Sequence, residues 1–198
     1  MTVVNRKHMI LESLVDSLRE DTLPNITTKI LAKKSDITEA AIYKHYKGKK
    51  EIFQELFKFI ESAIVDKIYE IRNKPISNLE KAKTLYYFMV LFVESNPGFA
   101  RFLNRECLTA DELDIIQSID TLFNNVETEF GSFGFTKDHS RMLITTLEGV
   151  YTRYSRSKFT EKPSEYIDFY YDVLVNSCLL YTSPSPRDQR GSGMAATG

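Results

Sequence analysis

Residues 27–53 read TTKILAKKSDITEAAIYKHYKGKKEIF, and this stretch decides the fold of the 198-residue chain. It predicts two short helices, one from Thr27 to Lys34 and the other from Thr38 to about Tyr43, joined by a tight turn at residues 35–37. The hydroxyl of Thr38 can accept from a free amide in the first turn of the second helix. The pattern therefore favours a helix-turn-helix, whose second helix enters the major groove of DNA.

Helical periodicity continues on both sides of this stretch, and no long run alternates as a strand would. One amphipathic helix precedes it, and six more are predicted after Gly48. We place these six at Lys49 to about Arg72, Leu79 to Glu94, a short helix ending at Cys107, Asp111 to Phe130, Thr136 to Lys158, and Ser164 to about Ser177. The expected fold is all-α, with nine helices and no sheet.

Composition narrows the class of protein. With 42% hydrophobic residues the chain can form an ordinary core, and 26 Lys and Arg nearly balance 27 Asp and Glu. The seven Lys of residues 29–50 face only two acidic residues, so this end can bind a polyanion. The chain has no export signal, so we expect a cytoplasmic, nucleoid-associated protein with reduced cysteines. Phosphate loops, paired cysteines and HExxH motifs are absent, so we expect no enzymatic activity, no cofactor and no metal.

Residues 178–198 differ in composition, with three of the eight Gly and two of the six Pro. Their sequence is typical of a translated sequencing adapter, so we expect a non-native tail and a missing native C-terminus. The predicted organisation is a helix-turn-helix DNA-binding domain at 1–47, a helical dimerisation and partner-binding domain at 48–177, and this tail.

The helix-turn-helix stretch resembles the DNA-binding signature of the TetR regulator family, including the aromatic residues around His45 and the lysine that opens the fourth helix. Segments 57–61, 95–103, 122–127 and 148–159 resemble the nucleoid occlusion factors of that family. The resemblance implies a nine-helix TetR-like fold, with an N-terminal three-helix DNA-binding domain and a C-terminal helical dimerisation and regulatory domain. The family usually has Gly where Asp36 stands, and Asp tolerates the left-handed conformation better than most residues.

The resemblance also implies partners and sites. The protein would be a homodimer that binds palindromic double-stranded DNA and inhibits division-ring assembly by the tubulin-like GTPase FtsZ. Phe59 and Asn96 match the partner-binding surface, although Phe59 could instead be core and Asn96 a helix-ending residue. The implied DNA-binding residues are Thr27, Thr28, Thr38, Glu39, Ala40, Ala41, Tyr43, Lys44, His45 and Lys49.

The last helices carry a cluster that we interpret as the dimer interface. Helical spacing places Tyr166, Phe169 and Tyr170 on one face, and interfaces favour aromatic residues. Gly149 would permit close helix approach at the same contact. These aromatics could instead line a ligand cavity.

Two other functions stay open at this point. One is a ligand-responsive TetR-type repressor, with a pocket among Phe88, Phe92, Phe102 and Phe123. The other is an enzyme or scaffold that only superficially resembles a regulator.

Overall fold

The structure, a computed structural model, describes residues 6–20 and 26–182, with side chains as far as residue 175. Within these ranges the chain forms nine α-helices and no β-strand, so the all-α prediction is confirmed there. Short 3-10 helices at Ala110–Glu112 and Pro163–Glu165 precede the seventh and ninth helices. The helices are α1 (Arg6–Leu18), α2 (Thr28–Lys34), α3 (Glu39–Tyr43), α4 (Lys49–Arg72), α5 (Asn78–Ser95), α6 (Pro97–Leu103), α7 (Leu113–Ser132), α8 (Lys137–Arg156) and α9 (Ile167–Thr182).

The sixth helix is shorter than predicted, because it ends at Leu103 and not at Cys107. Arg105 adopts a left-handed conformation with φ of 63°. The amide of Arg105 then donates to the carbonyl of Phe102 at 2.9 Å, and that of Glu106 to the carbonyl of Arg101 at 3.0 Å. This hydrogen-bond pattern is a Schellman motif, which terminates a helix.

The ninth helix also differs from its prediction. A 3-10 turn occupies Pro163–Glu165, and the α-helix begins only at Ile167. It ends at Thr182, so its last turn extends into the segment predicted as a tail. The rest of that segment, residues 183–198, lies outside the described residues.

Helix α8 lies at the centre of the C-terminal part, where it packs against α5, α6, α7 and α9. Its Tyr151 is fully buried, and the hydroxyl donates to the carbonyl of Met89 at 3.0 Å. The ring lies 6.4 Å from the ring of Phe123. In the described part of the chain, apolar residues from all nine helices form one continuous core. The buried hydroxyl of Tyr151 has its partner within that core. Among the described residues, none of the helices is long and apolar enough to cross a membrane.

The helix-turn-helix is joined to this core through α1 and α6. The side chain of Arg101 on α6 is 6% exposed, and its Nη1 donates to the carbonyl of Leu18 at 2.9 Å and to that of Glu20. Its Nε donates to Ser155 Oγ on α8 at 3.3 Å, and its guanidinium lies 4.9 Å from the ring of Phe159. One cation therefore connects the C-terminal end of α1 to two helices of the core.

Close approach of the backbones completes this joint. A Cβ atom at Gly98 would lie 2.6 Å from the carbonyl oxygen of Val15 and 3.1 Å from Cβ of Leu18. A distance of 2.6 Å is well inside van der Waals contact, so only glycine fits between α6 and α1 at this position.

We expect Gly98→Ala to lower the free energy of unfolding by about 1–3 kcal/mol, because the added methyl group forces α1 away from α6. Urea denaturation followed by circular dichroism measures the change. Gly131→Ala is the matched control, since its Cβ would meet nothing closer than Ser140 Oγ at 4.0 Å. That control should be neutral or stabilising. Equal stability of the Gly98 variant and the wild type would contradict the close packing.

Candidate nucleic-acid interface

The turn between α2 and α3 is set by Asp36, whose φ is 52°. The amide of Asp36 donates to the carbonyl of Lys33 at 3.3 Å, and that of Ile37 to the carbonyl of Ala32 at 3.0 Å. These two bonds form a Schellman motif with Asp36 in the left-handed position that glycine usually occupies. The sequence-based expectation for Asp36 is confirmed.

Helix α3 buries one side and exposes the other. Ile42 is fully buried, whereas Tyr43 is 55% exposed and Ala40 and Lys44 are also exposed. Thr38 caps the helix, because its hydroxyl accepts from the amide of Ala41 at 3.2 Å. A short helix that presents small residues near its N-terminus can approach base edges in the major groove.

A side-chain cluster ties α2 to α3. Thr28 Oγ1 donates to Glu39 Oε1 at 2.5 Å and lies 3.4 Å from Tyr43 Oη. Thr28 is 9% exposed, so it braces the two helices. Thr27 is exposed and caps α2, accepting from the amide of Ile30 at 3.3 Å. Sequence reasoning grouped Thr28 with the DNA-binding residues but missed its contact with Glu39, because residues eleven positions apart carry no local pairing signal.

The start of α4 is held by acidic residues from the C-terminal part. Lys49 Nζ lies 2.9 Å from Glu112 Oε1, and Lys50 Nζ lies 2.7 Å from Asp114 Oδ1. Burial raises the pKa of Glu112, but hydrogen bonds from Thr109 and Lys49 outweigh burial and hold that pKa below its ordinary value. Glu112 is therefore a carboxylate at neutral pH. Both acids lie about sixty residues beyond the lysines, and nothing in the sequence pairs them.

Phe59 and Asn96 line one groove of about 500 Å³ between α1, α4 and the α5–α6 junction. Phe59 is 56% exposed, and its ring meets the ring of Phe99 edge-on at 6.3 Å. It is therefore a surface residue and not part of the core. Asn96 Nδ2 donates to the carbonyl of Phe92 at 2.8 Å, so Asn96 ends α5 and also borders the groove.

Gly149, Tyr166 and Tyr170 line a second groove, of about 710 Å³, between α8 and the segment leading into α9. Phe169 is 69% exposed, and its ring lies 6.1 Å from that of Tyr170. A Cβ at Gly149 would meet no atom within 4 Å, so the helix surface is open there. The four residues predicted for the dimer interface thus lie near one another.

The four phenylalanines considered for a ligand pocket lie in different environments. Phe102 is fully buried beside Phe53, and Phe123 is 4% exposed beside Tyr151. Phe88 and Phe92 are half-buried and stack on each other at 5.4 Å along α5. Phe102 and Phe123 fill the core, so the four phenylalanines do not line a shared pocket.

The chain is similar in sequence to known nucleoid occlusion factors. The nucleoid occlusion factor SlmA of Shewanella frigidimarina is 29% identical over 178 residues, covering 83% of this chain and 90% of the relative. No protein-family model matches the chain.

Solved structures with the same fold include the fatty acid degradation regulator FadR of Bacillus halodurans. It has a TM-score of 0.72 at 16% identity, covering 88% of this chain and 96% of its own. A TetR-like transcriptional regulator of Rhodococcus sp. RHA1 has a TM-score of 0.71 at 15% identity, covering 93% and 100%. The predicted TetR-like fold and the resemblance to nucleoid occlusion factors are confirmed.

We expect Asp36→Gly to raise the free energy of unfolding by about 0.5–1 kcal/mol, because glycine adopts positive φ without a Cβ clash. Asp36→Val should lower it by more than about 1 kcal/mol, since a β-branched residue is strained there. Thermal unfolding measures both changes. Asp36→Asn, which removes the charge and keeps tolerance of this conformation, should resemble the wild type. If Asp36→Asn were stabilising, the negative charge of Asp36, and not its backbone conformation, would be the source of destabilisation.

Proposed function

We propose that the chain is a sequence-specific DNA-binding nucleoid occlusion factor of the TetR family, which inhibits division-ring assembly by FtsZ when bound to dispersed chromosomal palindromes. The observation that carries this proposal is the exposed face of α3, on a chain whose similarity to SlmA extends over most of both proteins. The curated relative is a nucleoid occlusion factor, which supports a role in binding and not in catalysis.

In this function α3 lies in the major groove. Thr38, Glu39 and Ala40 stand at its N-terminal end, where base edges are read, and a Glu carboxylate can accept from the amino group of cytosine. Tyr43, Lys44 and His45 follow at the other end and contact phosphates, which set the register. Ala41 is half-buried and lets the helix axis approach the groove.

A homodimer positions two such helices. We propose that the exposed aromatics of α9 and the open surface at Gly149 form its interface, because an exposed ring such as Phe169 gains by burial. Reading a palindrome requires the two α3 helices about one helical turn apart, near 34 Å. The protein then acts in the cytoplasm, on the nucleoid.

The groove at Phe59 and Asn96 is the proposed surface for FtsZ. It is lined by residues of α1, α4 and the α5–α6 junction and by none of α2 or α3, so DNA and a protein partner can be bound by different surfaces. Its exposed phenylalanine beside a second ring is the type of apolar anchor that dominates protein interfaces.

The function is tested by incubating the protein with fragmented genomic DNA from its source and mapping the retained sites. We expect many palindromic sites dispersed over the chromosome. One or two sites beside a single gene would overturn nucleoid occlusion and favour a ligand-responsive local repressor. Failure to retain DNA at low salt would overturn DNA binding itself.

Tyr43→Ala should weaken binding to every recovered site, because a phosphate contact carries no sequence information. We expect a dissociation constant about tenfold higher for each recovered duplex. Fluorescence anisotropy measures the affinity. Tyr69→Ala is the matched control, since Tyr69 is 71% exposed on α4, far along the helix from its N-terminus. A similar loss in both variants would exclude a specific role for Tyr43.

Phe59→Ala should reduce binding of purified FtsZ at least about tenfold, because truncating an aromatic anchor removes most of its burial energy. DNA affinity should stay unchanged, since Phe59 lies outside the helix-turn-helix. Co-sedimentation of FtsZ with the DNA-bound protein measures the interaction. Val65→Ala, at another exposed apolar residue of α4, controls for general surface effects. Undiminished FtsZ binding by Phe59→Ala would remove this groove from the proposal.

A further inference from the structure

The N-terminal end of α4 makes three polar contacts with the region where α7 begins. The two ion pairs described above, Lys49 with Glu112 and Lys50 with Asp114, are joined by a hydrogen bond from Gln54 Nε2 to Asp114 Oδ2 at 2.9 Å. Glu112 and Asp114 therefore form ion pairs with the two lysines that follow the helix-turn-helix.

Glu112 is fixed in place. It is 1% exposed, and its carboxylate accepts from the amide of Thr109 at 2.9 Å and from the Thr109 hydroxyl at 2.6 Å. A buried carboxylate needs a partner charge, because uncompensated burial is costly. Lys49 provides that charge, and its ammonium also lies 5.5 Å from the ring of Phe53. These contacts hold the ammonium group of Lys49 against Glu112 and Phe53.

Asp114 is held less firmly. Its side chain is 48% exposed and that of Lys50 is 49% exposed, so water competes with this pair. Exposed pairs of this kind are weak and yield readily to another anion. The two contacts thus differ in strength, while both involve ammonium groups beside the proposed DNA surface.

We propose that Glu112 and Asp114 form an acidic clamp that competes with DNA phosphates for Lys49 and Lys50. This inference rests on the proposed DNA-binding function. A lysine that is paired internally releases no counterion from DNA, so the clamp lowers both the affinity and its dependence on salt. Contact of α4 with DNA and contact of α4 with the start of α7 become alternatives.

In the clamp the ammonium of Lys49 pairs with Glu112, whereas the family resemblance implies that Lys49 binds DNA. Phosphate contact by Lys49 requires its ammonium to leave Glu112. Because Glu112 belongs to the C-terminal part, release of Lys49 would leave a buried carboxylate without its partner charge outside the helix-turn-helix. The clamp therefore couples the DNA-binding surface to α7.

The test compares Glu112→Gln, Asp114→Asn and the wild type on a mixed-sequence duplex of about three helical turns (~30 base pairs). The dissociation constant is measured by fluorescence anisotropy over a series of salt concentrations. Each freed lysine should steepen the slope of log affinity against log salt by about 0.9, and tighten binding about fivefold at low salt. The Gln variant keeps the shape of Glu112 and its ability to accept from Thr109.

Asp111→Asn is the matched control. Asp111 is an exposed neighbour in the same 3-10 turn, its carboxylate takes no part in these contacts with α4, and its loss changes the net charge equally. The clamp is supported if the Glu112 and Asp114 variants exceed this control in slope. It is overturned if all three carboxylates behave alike, which would indicate net charge only, or if none alters the slope.

Asp114→Asn, at an exposed position, keeps the test valid if Glu112→Gln is unstable. Failure of the wild type to bind any duplex would instead overturn the proposed function, and the clamp with it. The two failures are therefore distinguishable.

Discussion

The buried guanidinium of Arg101 is the interaction on which the position of the helix-turn-helix depends. Helix ends leave carbonyl groups without partners, and a buried cation needs acceptors. Arg101 meets both requirements by donating to the carbonyls of Leu18 and Glu20 at the end of α1. Its guanidinium also lies 4.9 Å from the ring of Phe159, in the loop after α8. Since α1 in turn packs against α2, the joint positions the helices of the helix-turn-helix.

Besides the shared apolar core, two polar connections of opposite character join the helix-turn-helix to the C-terminal part. At the α1–α6 joint a cation of the core, which lies 3.8 Å from the carboxylate of Glu106, donates to neutral carbonyls of α1, and glycine permits close backbone packing. At the start of α4 the cations belong to the DNA-binding side, and the core supplies the carboxylates. The first contact is buried and does not compete with DNA. The second uses groups that DNA also attracts, so the two connections respond differently to a polyanion.

Local chemistry made much of this fold predictable. The apolar periodicity located nine helices, and the cap at Thr38 and the turn at Asp36 follow from the intrinsic properties of those residues. The end of α6 was wrong, because a left-handed arginine at position 105 is not a sequence signal for a helix stop. The residues predicted to bind DNA lie on or beside α2, α3 and the start of α4. The pairs Lys49–Glu112 and Thr28–Glu39 were missed, since they depend on how helices pack and not on spacing along the chain.

The contact between Arg101 and Leu18 also has a consequence for the order in which the chain folds. These two residues are 83 positions apart, so α1 leaves the ribosome long before the side chain that completes its C-terminal end. At typical synthesis rates of about 5–20 residues per second, the interval is roughly 4–17 seconds. The residues of α2 and α3 are complete well before Arg101 is synthesised. Orientation of the DNA-binding surface is therefore a late, post-emergence event, and the first helices alone do not contain the information for it.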